Sequence, residues 1–121
     1  MLALVSVAAA HTLDEDLAPL SAALDEAGIA HRVVYWDESF VDWSHYHAVI
    51  IRSPWDYIDK LPEFLAWAAH VSEQSTLLNP LAVITSNTDK HYLEVLAAQG
   101  IHTVPSRFIE PEQHAEDGLH A

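Results

Sequence analysis

Val49-Ile50-Ile51-Arg52-Ser53-Pro54-Trp55-Asp56-Tyr57 runs from an apolar stretch straight into a polar loop. The apolar half is short and unbroken, as in a strand buried on both faces of a parallel sheet. The loop after it falls where open α/β sheets place their ligands. Arg52 is one of five basic residues against eighteen acidic ones. A scarce cation at the mouth of a strand points to an anionic ligand or to an ion pair.

The rest of the chain supplies the frame for this strand. Leu2 to Val7 reads as a first buried strand rather than a signal peptide, because it has no basic flank and acidic residues follow closely. Thr12 and Glu15 have capping-box spacing, and Leu13, Leu17, Leu20, Leu24 and Ala27 recur at helical steps. The pattern predicts a helix over 13–27, with acidic residues in its first turn and Gly28 as its stop. His31 to Trp36 reads as a second strand, 37–44 as a polar loop and His47 to Ile51 as the third strand. A second helix follows the 54–60 loop. Pro62 lies in its first turn, and Leu61, Phe64, Leu65, Ala68 and Val71 face inward. Leu77-Leu78-Asn79-Pro80 predicts a short strand, while Leu81 to Ile84 fits a helical turn or a strand equally. A third helix is expected over Thr88 to Gln99, closed by Gly100, and a last short strand over Ile101 to Val104. This order predicts an α/β fold in three layers, a mostly parallel sheet of four or five strands with helices on both faces. Residues 1–110 form the domain. Residues 111–121 have no apolar period and read as a flexible tail or truncated linker.

Composition narrows the function. At 121 residues and half hydrophobic, the chain can bury a core without metal or disulfide. The absence of cysteine excludes a disulfide scaffold, a zinc–thiolate site and a cysteine nucleophile, and it fits a cytoplasmic location. A formal net charge of -13 repels nucleic acid and anionic lipid, so neither is expected as a partner. No stretch approaches the roughly 20 apolar residues of a membrane span. The three glycines form neither a dinucleotide fingerprint nor a P-loop, and no nucleophile elbow is present. His45-x-His47 lacks a third ligand at a telling distance, so no metal site is expected.

Two groups of residues carry chemistry. In the first, Arg52 can meet a carboxylate or phosphate in a fork, with Trp55 and Tyr57 as pocket walls. Equally, Arg52 can pair with Asp56 while the rings close the core over the strand end. In the second, Asn87-Thr88-Asp89-Lys90 lies at the expected start of the third helix, where a lysine can contact phosphate as a point charge. The plainer reading there is a cap with a solvated Lys90.

Taken in order, these elements resemble the N-terminal, pre-ATP-grasp domain of the ATP-grasp ligase superfamily. The closer likeness is to its glutathione-synthetase-like and cycloserine-synthetase-like members. The likeness rests on Leu13-Asp14-Glu15-Asp16, Val34-Tyr35-Trp36-Asp37, Val41-Asp42-Trp43, Arg52-Ser53-Pro54-Trp55-Asp56-Tyr57 and Phe64-Leu65-Ala66-Trp67. It continues through Leu78-Asn79-Pro80, Asn87-Thr88-Asp89-Lys90 with Tyr92-Leu93, and Gly100-Ile101 with Val104-Pro105. The resemblance implies a Rossmann-like domain on the substrate side of an enzyme that uses ATP and Mg²⁺ to activate a carboxylate as an acyl phosphate for attack by an amine. It implies that Arg52 takes the carboxylate of a small, amino-acid-like substrate, that Ser53 adds a hydrogen bond, that Trp55 and Tyr57 wall the pocket and that Asp56 orients Arg52. It also implies that Lys90 contacts nucleotide phosphate, with Asn87 and Asp89 shaping that helix start. Relatives usually carry tryptophan where this chain has Ser86.

No catalytic residue and no metal ligand is expected within the chain, because in the resembling family those belong to further domains. The expected partners are therefore those ATP-grasp domains or a companion chain, and alone the chain should neither hydrolyse ATP nor ligate. The alternative is a stand-alone homo-oligomeric or protein-binding module of the same fold, with a homodimer as its simplest form.

Overall fold

The computed structural model describes residues 1–113 and Glu116. The chain divides into two compact units, Met1–Thr85 and Ser86–Ala121. In the first unit four strands form one sheet: β1 (Leu2–Ser6), β2 (His31–Tyr35), β3 (Ala48–Ser53) and β4 (Thr76–Leu78). Their order is β2-β1-β3-β4 and every pairing is parallel. Helix α1 (Leu17–Glu26) joins β1 to β2, and α2 (Leu61–Gln74) joins β3 to β4. The two crossovers travel in opposite directions from the sheet centre, so right-handed connections place their helices on opposite faces. This is the expected three-layer α/β architecture.

Alternation along β1 divides the core. Ala3, Val5 and Val7 join Val34, Val49, Ala68 and Val71 in the main cluster, while Leu4 is fully buried outside it. Burying each of these larger side chains contributes about 1.5–3 kcal/mol. The α2 side is rich in aromatic rings. Phe64 stacks on Trp67 at 5.2 Å and meets Trp36 edge-on at 5.4 Å, and Trp43 meets Trp67 at 5.6 Å. Trp67, not among the inward residues expected of α2, is thus a centre of its packing.

Several boundaries differ from the sequence reading. Helix α1 begins at Leu17 and not at Leu13: the chain first makes a 3₁₀ turn over Ala8–Ala10 and then further turns, and Asp16, its N-cap, makes no side-chain cap. Leu13 is exposed and Leu17 buried, so burial fixes the start one turn later than the capping-box pattern implies. β3 extends to Ser53, which makes Arg52 and Ser53 strand residues and not loop residues. Leu81–Asn87 is helical (α3).

The second unit contains α4 (Tyr92–Ala98), much shorter than the helix expected over 88–99. No strand forms over 101–104, and the segment from 101 to 110 is irregular. The expected tail, 111–121, lies mostly outside the described residues. Among the described residues no helix is long and apolar enough to cross a membrane.

Candidate functional site

The order β2-β1-β3-β4 reverses direction between β1 and β3, and the carboxyl ends of those two strands form the crevice where such sheets bind ligands. Arg52 stands there. Val5 pairs with Ile51, but Ser6 pairs with Ser53, so the register slips by one residue and Arg52 is the extra one. A bulge of this kind breaks the in-and-out alternation and re-aims a side chain at a sheet rim.

The re-aimed guanidinium meets Asp14, from the loop after β1. Arg52 Nη2 donates to Asp14 Oδ1 at 3.0 Å and Oδ2 at 3.3 Å. Asp16 Oδ2 lies 3.9 Å from the same nitrogen. Asp14 is nearly enclosed, with 5% of its side chain exposed, whereas Arg52 keeps 29% and Asp16 89%. Burial works against the charge on Asp14. The Ser53 hydroxyl, the Arg52 guanidinium and the Asp16 backbone N–H outweigh it and hold the carboxyl below its ordinary value. Arg52 Nε is buried without a hydrogen-bond partner among the described residues. A groove of about 570 Å³ runs along α1, lined by His11, Asp14, Leu17, Ala18 and Val33; Arg52, Trp55 and Tyr57 do not line it.

The other residues expected in this loop have different employments. Ser53 is fully buried and its hydroxyl meets that of Ser6 at 2.9 Å, so it has no surface to offer a ligand. Asp56 does not orient Arg52. Its Oδ1 accepts from Trp36 Nε1 at 2.8 Å and its Oδ2 from Lys60 at 3.0 Å, which staples the chain after β2 to the chain after β3. Burial opposes the Asp56 charge, but these two donors prevail and its carboxyl too is held low. Trp55 is half exposed, while Tyr57 is partly buried with its ring 5.1 Å from Phe64. The fork at the strand end is therefore Arg52 with Asp14, and Trp55 is the open ring beside it in sequence.

Asp14 is the residue that sequence reasoning assigned to the wrong task, a first-turn charge on α1. The available signal was topological: if β1 and β3 are parallel neighbours, the loop leaving β1 must pass the end of β3, where Arg52 waits.

In the second unit Lys90 precedes α4 and lies in a turn, with Nζ 5.6 Å over the Tyr92 ring. Asn87 is the last residue of α3. Asp89 is committed to His91, accepting its backbone N–H at 3.0 Å and facing its ring Nδ1 at 2.6 Å. Lys90 is thus not a first-turn residue backed by helix N–H groups, because the helix starts two residues later. Among the described residues no group of three or more histidine, aspartate or glutamate side chains is placed to hold a metal ion.

Residues 2–79 match the family described as "D-cycloserine synthetase DcsG, N-terminal domain". The cycloserine biosynthesis protein DcsG of Streptomyces lavendulae is 37% identical over 115 residues, which cover 95% of this chain and 38% of that protein. The crystal structure of D-cycloserine synthetase DcsG superposes with a TM-score of 0.81 at 39% identity, covering 86% of this chain and 35% of that one. The chain therefore spans little more than a third of the length of these relatives.

Proposed function

Because the chain belongs to the family of D-cycloserine synthetase N-terminal domains, we propose that it forms the substrate-side part of an ATP-dependent carboxylate–amine ligase, catalytically incomplete by itself. The observation that carries this reading is the bulged Arg52 at the β1/β3 crevice, held from one side by Asp14. All its hydrogen bonds among the described residues leave from Nη2, so Nη1 is available to a substrate carboxylate. Arg52 is outnumbered by Asp14 and Asp16, so the local field suits a zwitterion better than a dianion. An amino acid would set its carboxylate on Arg52 and its ammonium toward exposed Asp16, with Trp55 and Tyr57 as the apolar wall. Asp56 and Ser53 support the strand end without touching the substrate.

The family implies ATP and Mg²⁺. Lys90 fits a single contact to a phosphate oxygen, with Asn87 and Asp89 setting the turn that presents it. Among the described residues no group of three or more histidine or carboxylate side chains is placed to hold the ion. A second reading, a stand-alone module that binds a protein or its own copy, draws on Val95, Ile101 and Val104, which are exposed in the second unit.

Grafting this chain in place of the matching region of the Streptomyces lavendulae protein tests the reading. The graft should form D-cycloserine with ATP, and the chain alone should release no phosphate from ATP. Arg52→Ala in the graft should lower kcat/KM by about ten- to a hundredfold, the worth of one charged hydrogen bond. A folded but inactive graft, or an Arg52→Ala graft with full activity, would overturn it. A chain that is a stable dimer in solution and does not complement would favour the second reading.

A further inference from the structure

His91 presents both ring nitrogens to carboxylates. Nδ1 lies 2.6 Å from Asp89 Oδ1 and Nε2 lies 3.1 Å from Glu110 Oε1. Phe108 stacks on the same ring, with centroids 4.3 Å apart and planes 25° from parallel. A neutral imidazole has one N–H and one lone pair, so it donates to one carboxylate and turns its lone pair on the other. Only the doubly protonated ring donates to both. We propose that His91 is a pH-operated clamp: as an imidazolium it ties residues 108–110 to the turn before α4, and on losing a proton it releases them.

The two contacts are unequal. Asp89 is two residues away and also accepts the His91 backbone N–H at 3.0 Å. Glu110 is nineteen residues away and is held against the entropy of that loop. The remaining proton therefore stays on Nδ1 facing Asp89, and the Glu110 contact opens. His91 is also the N-cap of α4, where the helix dipole disfavours a cation. The Asp89 hydrogen bond, against some burial, and then the charges of Asp89 and Glu110 reverse that preference and raise His91 above the ordinary histidine value. The other titratable or charged side chains on the turn before α4, on α4 and on 101–110 are Lys90, Tyr92, Glu94, His102 and Arg107, and Lys90 is turned to the Tyr92 ring. The clamp is closed at pH values between the titration of the carboxylates and that of the imidazolium. It is independent of the ligase reading.

An NMR titration of the His91 Cε1–Hε1 signal in the full chain tests this. The expected midpoint lies above 6.5, the ordinary histidine value, and the Phe108 ring and Glu110 amide signals should follow the same curve. Glu110→Gln should lower the midpoint and flatten the Phe108 curve. His91→Gln should remove the histidine-range titration of the Phe108 and Glu110 signals. A wild-type midpoint at or below 6.5, or Phe108 and Glu110 signals that do not follow His91, overturns the clamp. So does a Phe108 curve that persists in His91→Gln. The wild-type titration decides alone if either variant fails to fold.

Discussion

At the scale of single residues the chain turns on Arg52 and Asp14. Removing Arg52 leaves an almost enclosed carboxylate without its cation, and removing Asp14 leaves a guanidinium whose Nε already has no partner among the described residues. Either truncation to alanine should destabilise by about 1–3 kcal/mol. The double variant should lose less than the sum, because neither group is then stranded. Urea titrations of the three variants measure this, and strict additivity would show the pair to be decorative. The pair also fixes a pH dependence. The folded Asp14 titrates below its ordinary value of 3.8, so its contribution is complete above that value and fades as pH falls through the lower folded one. Asp14→Asn should therefore narrow the stability difference between neutral pH and pH below about 4. Half of this pair was legible in the sequence: an arginine straight after an apolar run stands out in a chain with only five basic residues. Asp14 was not, because three acidic residues stand together there and only the strand order says which one meets Arg52.

Among elements, stops were more legible than starts. Gly28 has φ +67° and Gly100 has φ +80°. At the end of α1 the Gly28 N–H bonds to the Asp25 carbonyl at 3.0 Å and the Ile29 N–H to the Leu24 carbonyl at 2.8 Å. At the end of α4 the Gly100 N–H bonds to the Ala97 carbonyl at 3.0 Å and the Ile101 N–H to the Leu96 carbonyl at 3.1 Å, the same Schellman pattern. Such a stop requires one residue with left-handed backbone, and glycine announces it in the sequence. Starts depend on what the preceding loop must do. Residues 12–16 stay out of α1 and place Asp14 against Arg52, so the capping-box spacing of Thr12 and Glu15 has no effect. Residues 101–104 form no strand because their unit offers, among its described residues, no strand to pair with. A Cβ added at either glycine would meet nothing within 4 Å, so only backbone strain opposes Gly28→Ala and Gly100→Ala. Each should cost about 1–2 kcal/mol. In chemical denaturation asparagine at these positions should be tolerated better than alanine, and equal losses would argue against the left-handed caps. Within α2, Phe64→Ala removes a ring that touches Trp36, Tyr57 and Trp67, and it should cost about 3–5 kcal/mol. Tryptophan emission during unfolding reads that loss directly.

At the scale of the whole molecule the parallel sheet was legible because buried strands write continuous apolar runs, and the division near Thr85 was not, because no composition change marks it. Charge is the global property with a measurable consequence. Eighteen acidic side chains face five basic ones, so repulsive pairs far outnumber attractive ones at neutral pH. The favourable pairs are few and local, chiefly Arg52 with Asp14 and Lys60 with Asp56 and Asp37. They act over a few ångströms, whereas the repulsion accumulates over the whole surface. Raising ionic strength from about 0.01 to about 0.15 M shortens the screening length from about 30 to about 8 Å. That removes most of the long-range repulsion and weakens the contact pairs much less. Sodium chloride should therefore raise Tm across this range, before preferential exclusion of salt becomes important. Thermal melts at fixed pH measure the slope. A Tm that falls with salt would mean that the local ion pairs outweigh the net charge, and that Arg52 with Asp14 contributes more than about 1–3 kcal/mol.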